Sequence, residues 1–317
     1  MSQETTSGDD YRSGFVALAG LPNVGKSTLM NAVLGQKISA VTSKPQTTRN
    51  RILGVHTVEA TGQLVFVDTP GIHKASKELN AVMVDNAWGS IGATDVILFI
   101  VDAQDALNRS GELSGGNAAI VKRLIAMPQP LVVAINKIDT VSTTDELLPI
   151  IGAFSELEGL KSEAIVPISA LESDGLDGLV KMLIGLLPPG PQLYPEDIVT
   201  DQAERFIAAE IIREKLMLQT RKEIPYASAV TIEVFSDDPS RDLLRMRGII
   251  HVERKSQKGI VIGKGGARLK QIGSQARSEL EKFFGRRIYL DLHVKVDRDW
   301  SNNPNQLRRL GYMREEH

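Results

Sequence analysis

The 317-residue chain contains no cysteine. Disulfides and thiolate metal sites are therefore excluded, and the chain suits a reducing compartment. No apolar run approaches the ~18 residues of a membrane-spanning helix; DVILFIV is far too short. The opening MSQETTSGDDYRSG is polar and has no apolar secretory core. Internal repeats and long low-complexity segments are missing as well. A cytoplasmic setting is expected. Net charge is also nearly absent, at −2, but it is unevenly spread. Residues 1–190 hold 14 basic and 20 acidic side chains, a net of −6, and residues 191–317 hold 23 and 19, a net of +4. Within 241–287 the count is 13 against 4, a net of +9. Positive charge concentrated in this way is the footprint of a polyanion site.

The length suits two globular domains at roughly 100–200 residues each. GFVALAG (14–20) is a short apolar run entering a glycine turn, and STLMNAVLG after it reads as a helix. QLVFVDTPG, DVILFIVDA, LVVAINKID and EAIVPISA repeat the buried strand that ends in a turn, with helical stretches such as LNAVMVDNAWGSI and GNAAIVKRLIA between them. Strands apolar throughout and alternating with helices predict an α/β domain with a mostly parallel sheet and helices on both faces. Its ligand belongs at the carboxyl ends of the strands. The apolar stripe Leu179, Met182, Leu183 and Leu186 reads as core packing, and Pro188-Pro189-Gly190-Pro191 stops that helix. The expected divisions are a polar extension 1–13, a first domain 14–187, a linker 188–200 and a second domain 201–317 that includes a C-terminal tail. The second domain reads as a helix (AERFIAAEIIREKLMLQT), two strands (ASAVTIEVF and RGIIHVERKS), a glycine loop entered by a strand-like run, a helix (ARLKQIGSQARSELEKFF) and a strand (RIYLDLHVKV). That order is an α+β module.

Gly20-Leu21-Pro22-Asn23-Val24-Gly25-Lys26-Ser27, followed by Thr28, matches G-x-x-x-x-G-K-[ST] between a strand and a helix. Backbone N–H groups freed by the glycines cradle phosphate oxygens, Lys26 places a charge on the β/γ phosphates, and the Ser27 hydroxyl suits Mg²⁺. The helix N-terminus adds its dipole. Asp68-Thr69-Pro70-Gly71 ends a second strand. Asp68 can hold Mg²⁺ through water, and the Gly71 N–H can sense the γ-phosphate. Asn136-Lys137-Ile138-Asp139 ends a third. The Asp139 carboxylate accepts two hydrogen bonds from guanine, from its ring N–H and its exocyclic amine. Adenine lacks that donor pair, so a buried unpaired carboxylate rejects it by on the order of a few kcal/mol. Ser169-Ala170 ends the last strand, where a backbone N–H can meet the guanine O6.

Gly263-Lys264-Gly265-Gly266 fits G-x-x-G, and no Lys-[ST] follows it. It is therefore not a second triphosphate loop. In a KH module such a loop clamps the backbone of about four nucleotides. Ile260, Val261, Ile262 and Leu269 can form a groove wall, and Lys258, Lys264, Arg268 and Lys270 can neutralise phosphates. A rival reading makes the basic half a packing surface for a protein partner. RNA binding weakens steeply with salt, whereas an apolar interface does not.

The first four motifs resemble those of the translation-factor class of GTPases, and KPQTTRNRI (44–52) resembles that class's effector loop. The resemblance implies that Thr48, with Thr47 as the fallback, is a third Mg²⁺ ligand beside Ser27 and Asp68. Many GTPases place a water-orienting glutamine where this chain has Ile72, so intrinsic hydrolysis is expected to be slow. In relatives with a P-loop asparagine that residue helps to bind K⁺, and Asn23 stands at the matching position. The implied catalytic set is Asn23, Lys26, Thr48, Asp68 and Gly71, with K⁺ expected to accelerate turnover. The whole chain from about residue 14 to 312 resembles the Era GTPases, a GTPase domain followed by a type II KH domain. IIREKLMLQTRKEIPYA, VIGKGGARLKQIG and NQLRRLGY carry that likeness specifically. It implies a bacterial ribosome-assembly factor that hydrolyses GTP to GDP. It also implies binding to the 3′ end of 16S rRNA through the KH domain, and action on the 30S subunit. A monomer with no DNA partner is expected, with peripheral membrane contact left open.

Overall fold

The computed structural model describes residues 11–45, 47–72, 78–160 and 162–312. Most of the polar extension and the last five residues of the tail lie outside them, as does Gln46 of the effector-loop motif. Contacts divide the described residues into two compact units.

The first unit is built on strands β1 (Arg12–Ala19), β2 (Ile52–Val58), β3 (Gly62–Asp68), β4 (Val96–Asp102), β5 (Leu131–Asn136) and β6 (Ser162–Pro167). The sheet order is β2-β3-β1-β4-β5-β6, parallel except for β2, which runs antiparallel to β3. Every residue of β3, β4 and β5 is buried, as both-face coverage demands. Helices α1 (Lys26–Leu34), α2 (Glu78–Gly92), α3 (Gly115–Leu124), α4 (Leu148–Ser155) and α5 (Leu176–Leu186) follow in chain order. The Pro-rich stretch after α5 does not hang free. Ser13 N donates to Pro188 O, Leu193 N and Tyr194 N both donate to Gln63 Oε1, and Val55 N donates to Val199 O.

The second unit holds α6 (Glu204–Gln219), β7 (Ser228–Asp238), β8 (Leu243–Val252), α7 (Lys255–Ile262), α8 (Ala267–Phe284), β9 (Arg287–Val296) and α9 (Pro304–Arg309). β8 lies between antiparallel β7 and parallel β9. The core joins Ile212 and Leu216 of α6 to Ile272, Ala276 and Leu280 of α8 over Ile250, Ile288 and Val294 of the sheet. One expectation is corrected here. The run entering the glycine loop is a helix, so the order is α-β-β-α-α-β. The β-branched Ile260-Val261-Ile262 suggests a strand, yet the Gln257 side chain accepts from Glu253 N and Arg254 N and starts a helix. Gly263, at φ 74°, ends it.

The first domain is also not the uninterrupted span 14–187. Residues 37–50 and 79–85 cluster with the second unit. Arg49 is 2 % exposed. It donates to the carbonyls of Pro225, Tyr226 and Ser228 and lies over the rings of Trp300 and Tyr312. Lys37 pairs with Glu214 on α6 at 2.7 Å and with Glu279 on α8 at 2.9 Å. Leu79 and Met83 pack with Ala229, Trp300, Leu307 and Tyr312.

Candidate functional site

In the first unit the loops after β1, β3, β5 and β6 converge on the carboxyl edge of the sheet. Asn136, 1 % exposed, is the hub. Its Nδ2 donates to Val24 O at 2.7 Å, and its Oδ1 accepts from Ala170 N at 2.9 Å. A Cβ on Gly25, which sits at φ +101°, would come 2.2 Å from that Nδ2, so only glycine fits between loop and hub. Likewise a Cβ on Gly71 would meet Pro22 Cα at 2.8 Å, which sets the DTPG turn directly against the P-loop.

Lys26 is 6 % exposed, and its Nζ donates to Gly20 O and Leu21 O at 3.2 and 2.9 Å. Burial pushes its ammonium down to about 8, while Asp68 pulls it up. Phosphate oxygens nearby would favour the charged form further. The Ser27 hydroxyl donates to Asp68 Oδ2 at 2.7 Å. A hydroxyl and a carboxylate side by side form the hard oxygen donor set that suits Mg²⁺. Thr69 Oγ1 ties the turn to Leu18 O at 2.9 Å. On the base side, Lys137 adopts the left-handed conformation and pairs with Asp102 at 2.5 Å. Ile138 N reaches Ile168 O, and Ser169 Oγ donates to Asp139 Oδ1 at 2.5 Å. The hydroxyl thus orients the carboxylate proposed to read guanine.

Thr48, 7 % exposed, clusters with the second unit. Next to it the Thr47 carbonyl accepts from Arg213, and the Thr47 hydroxyl pairs with that of Thr42 at 2.7 Å.

In the second unit Gly263-Lys264-Gly265-Gly266 joins α7 to α8. All three of its glycines have positive φ, at 74°, 59° and 82°. Lys264 and Lys270 are exposed. Arg268 turns back to the Ile260 carbonyl, so part of its donor set closes the end of α7. Ile260 is 42 % exposed, but Val261 has no exposed area and belongs to the core. Val261 is therefore no part of a groove wall.

Family models match both halves of the chain: a 50S ribosome-binding GTPase over residues 15–137 and a KH domain over residues 223–301. The GTPase Era of Syntrophus aciditrophicus is 46 % identical over 302 residues, which cover 95 % of each chain. That of Geotalea uraniireducens is 47 % identical and covers 95 % of this chain and 98 % of its own. The crystal structure of a point variant of Aquifex aeolicus Era bound to GDP·AlF4⁻ aligns at a TM-score of 0.88 with 42 % identity, covering 95 % of this chain and 99 % of its own. The chain belongs to the Era GTPase family.

Like its Era relatives, the chain is a GTPase. A further Era crystal structure, in complex with MgGDPNP and nucleotides 1506–1542 of 16S ribosomal RNA, aligns at a TM-score of 0.89 with 42 % identity, again covering 95 % and 99 %. The structure also displays groove residues in this Era-family chain that the sequence pattern does not single out. Gly273, Ser274 and Arg277 of α8 face Leu290 and Leu292 of β9 across a groove of about 530 Å³ that begins at Gly266 and Leu269. Their signal is only partly present. Leu290 and Leu292 alternate on a strand, but nothing in the sequence says that β9 is an edge.

Proposed function

We propose that this protein is a nucleotide-controlled assembly factor of the small ribosomal subunit that binds the 3′ end of 16S rRNA in its KH groove. The observation that carries the reading is the glycine loop between α7 and α8 at the mouth of the α8–β9 groove, with Lys264 and Lys270 exposed beside it. The Era structure holding nucleotides 1506–1542 of 16S rRNA supports it. A Cβ on Gly265 meets nothing within 4 Å, and its φ of 59° is one that aspartate tolerates. Gly265→Asp therefore places a negative charge in open space, at the modest cost of a left-handed backbone that aspartate adopts more readily than most residues. It should reduce affinity for a labelled oligonucleotide of the 16S 3′ end by at least about tenfold in fluorescence anisotropy. Wild-type affinity should fall with salt at a slope of about −0.7 per phosphate contact. Binding that ignores both salt and the aspartate would instead favour a protein partner.

The proposed nucleotide site is Gly20 to Thr28 for the phosphates, Ser27, Asp68 and Thr48 for Mg²⁺, and Asn136, Asp139, Ser169 and Ala170 for guanine. Mg²⁺ bound there neutralises charge on the β and γ phosphates. Ile72, 8 % exposed, donates its N–H to Gly20 O and offers no side-chain hydrogen bond to a water. Asn23, exposed on the P-loop at φ 65°, is proposed to help hold K⁺. Steady-state hydrolysis should be about ten- to a hundredfold faster in K⁺ than in Na⁺, short of the 10³–10⁵ of an arginine finger. Asn23→Ala should erase the difference. Equal turnover of the wild type in the two salts would rule K⁺ out.

A further inference from the structure

The side chains of β9 alternate between two surfaces. Leu290 and Leu292 face α8 and line the groove. Tyr289, Asp291 and His293 point to the opposite face of the sheet, away from α8. There Tyr289 lies level with Arg245 on β8, and Asp291 with Arg247. Tyr289 is 56 % exposed, so its ring is open to solvent on this face. The Arg245 guanidinium lies over one face of its ring, 5.9 Å from the centroid, which leaves the other face for stacking. Arg287, two residues before it on the same face, is exposed and makes no ion pair among the described residues. Because β9 is the edge strand, nothing in the sheet separates this face from the groove.

We propose that the outer face of the β7–β8–β9 sheet is a second contact surface for single-stranded RNA, on which a nucleotide leaving the KH groove across β9 stacks its base against Tyr289. Arg245 and Arg287 meet the flanking phosphates. The proposal rests on the RNA reading of the groove. Three features select this occupant. An exposed aromatic ring with arginine beside it is the kind of platform that single-stranded nucleic acids use, since every base has a π-face. A protein interface core would be depleted of charge, whereas this face carries the Arg245–Asp238 and Arg247–Asp291 pairs, and Val234 is the one other exposed large apolar side chain on these three strands. The surface also continues directly from the groove. The carboxylates do not oppose this. Asp238 pairs with Arg245 at 3.3 Å and Asp291 with Arg247 at 3.3 Å, so each is already matched by a guanidinium group.

The test uses the full-length protein and two labelled oligonucleotides from the 3′ end of 16S rRNA. One, of about six nucleotides, fills the groove, and the other, of about fourteen, can extend past it. Tyr289→Ala should weaken the long oligonucleotide about tenfold and leave the short one unchanged, while Tyr289→Phe should bind both like the wild type. Arg245→Gln should lower the salt slope for the long one alone by about 0.7. If Tyr289→Ala binds the long oligonucleotide as tightly as the wild type, the surface is not an RNA contact, even though Gly265→Asp abolishes binding. If the wild type binds neither oligonucleotide, the groove reading falls and this proposal with it.

Discussion

Asp139→Asn is expected to lower GTP affinity by about 10³-fold and to admit xanthosine triphosphate in its place. Guanine offers two donors on the edge that meets this residue, and a carboxylate accepts from both. Asparagine presents one acceptor and one donor, so its amide faces the exocyclic amine head-on. Xanthine carries a carbonyl where guanine carries that amine, and the asparagine amide then donates to it. The surrounding structure makes the exchange a clean one. Ser169 Oγ lies 2.5 Å from Asp139 Oδ1, and an asparagine oxygen can accept the same bond. Ile138 N is held by Ile168 O, so the turn keeps its shape. Equilibrium titration with fluorescent GDP, competed by GTP and by xanthosine triphosphate, reads both changes. A variant that still prefers GTP would show that Asp139 does not read the base.

Arg213→Ala is expected to destabilise the second unit by about 3–5 kcal/mol. Arg213 has no exposed area. Its Nε donates to Glu210 Oε1 at 2.8 Å, while Nη2 reaches the second Glu210 oxygen and the Thr47 carbonyl. Removing the guanidinium leaves the Glu210 carboxylate, 6 % exposed, without its counter-charge. The chain has two tryptophans. In a Trp88→Phe background, Trp300 fluorescence follows the second unit alone during urea unfolding. The midpoint should fall by about 2 M at an m-value of about 1–3 kcal/mol/M. Glu210→Ala added to Arg213→Ala should recover part of the loss, because no buried charge is then left unpaired. A midpoint unchanged by Arg213→Ala would mean that the pair adds nothing to folding.

The nucleotide-binding half is legible in the sequence because its chemistry is written in contiguous words at strand ends. Gly20 to Ser27, Asp68 to Gly71, Asn136 to Asp139 and Ser169-Ala170 each name their own local structure. Helix α8 and strand β9 are also legible to the residue, since an amphipathic period with a glycine at each end leaves little choice. Antiparallel β2 is not legible, because it follows a loop known mainly by its motif and its pairing with β3 is set by the sheet. Ile260-Val261-Ile262 misleads because three β-branched residues outweigh a cap that is visible only once Gln257 folds back. The hub role of Asn136 needs three loops to be brought together, and no spacing encodes it.

Arg49 sits on an effector loop whose sequence belongs to the first half of the chain, yet its hydrogen bonds end on Pro225, Tyr226 and Ser228. The boundary between the two units is therefore not a point along the polypeptide. A cut at the Pro-rich stretch, the obvious place to separate two exchangeable modules, would give one fragment carrying Arg49 without its carbonyl cage and another carrying the cage without its cation. Recombination that swapped the RNA-binding half for an unrelated one would meet the same mismatch. The halves are constrained to diverge together, since the first contains a piece of chain that packs within the second unit.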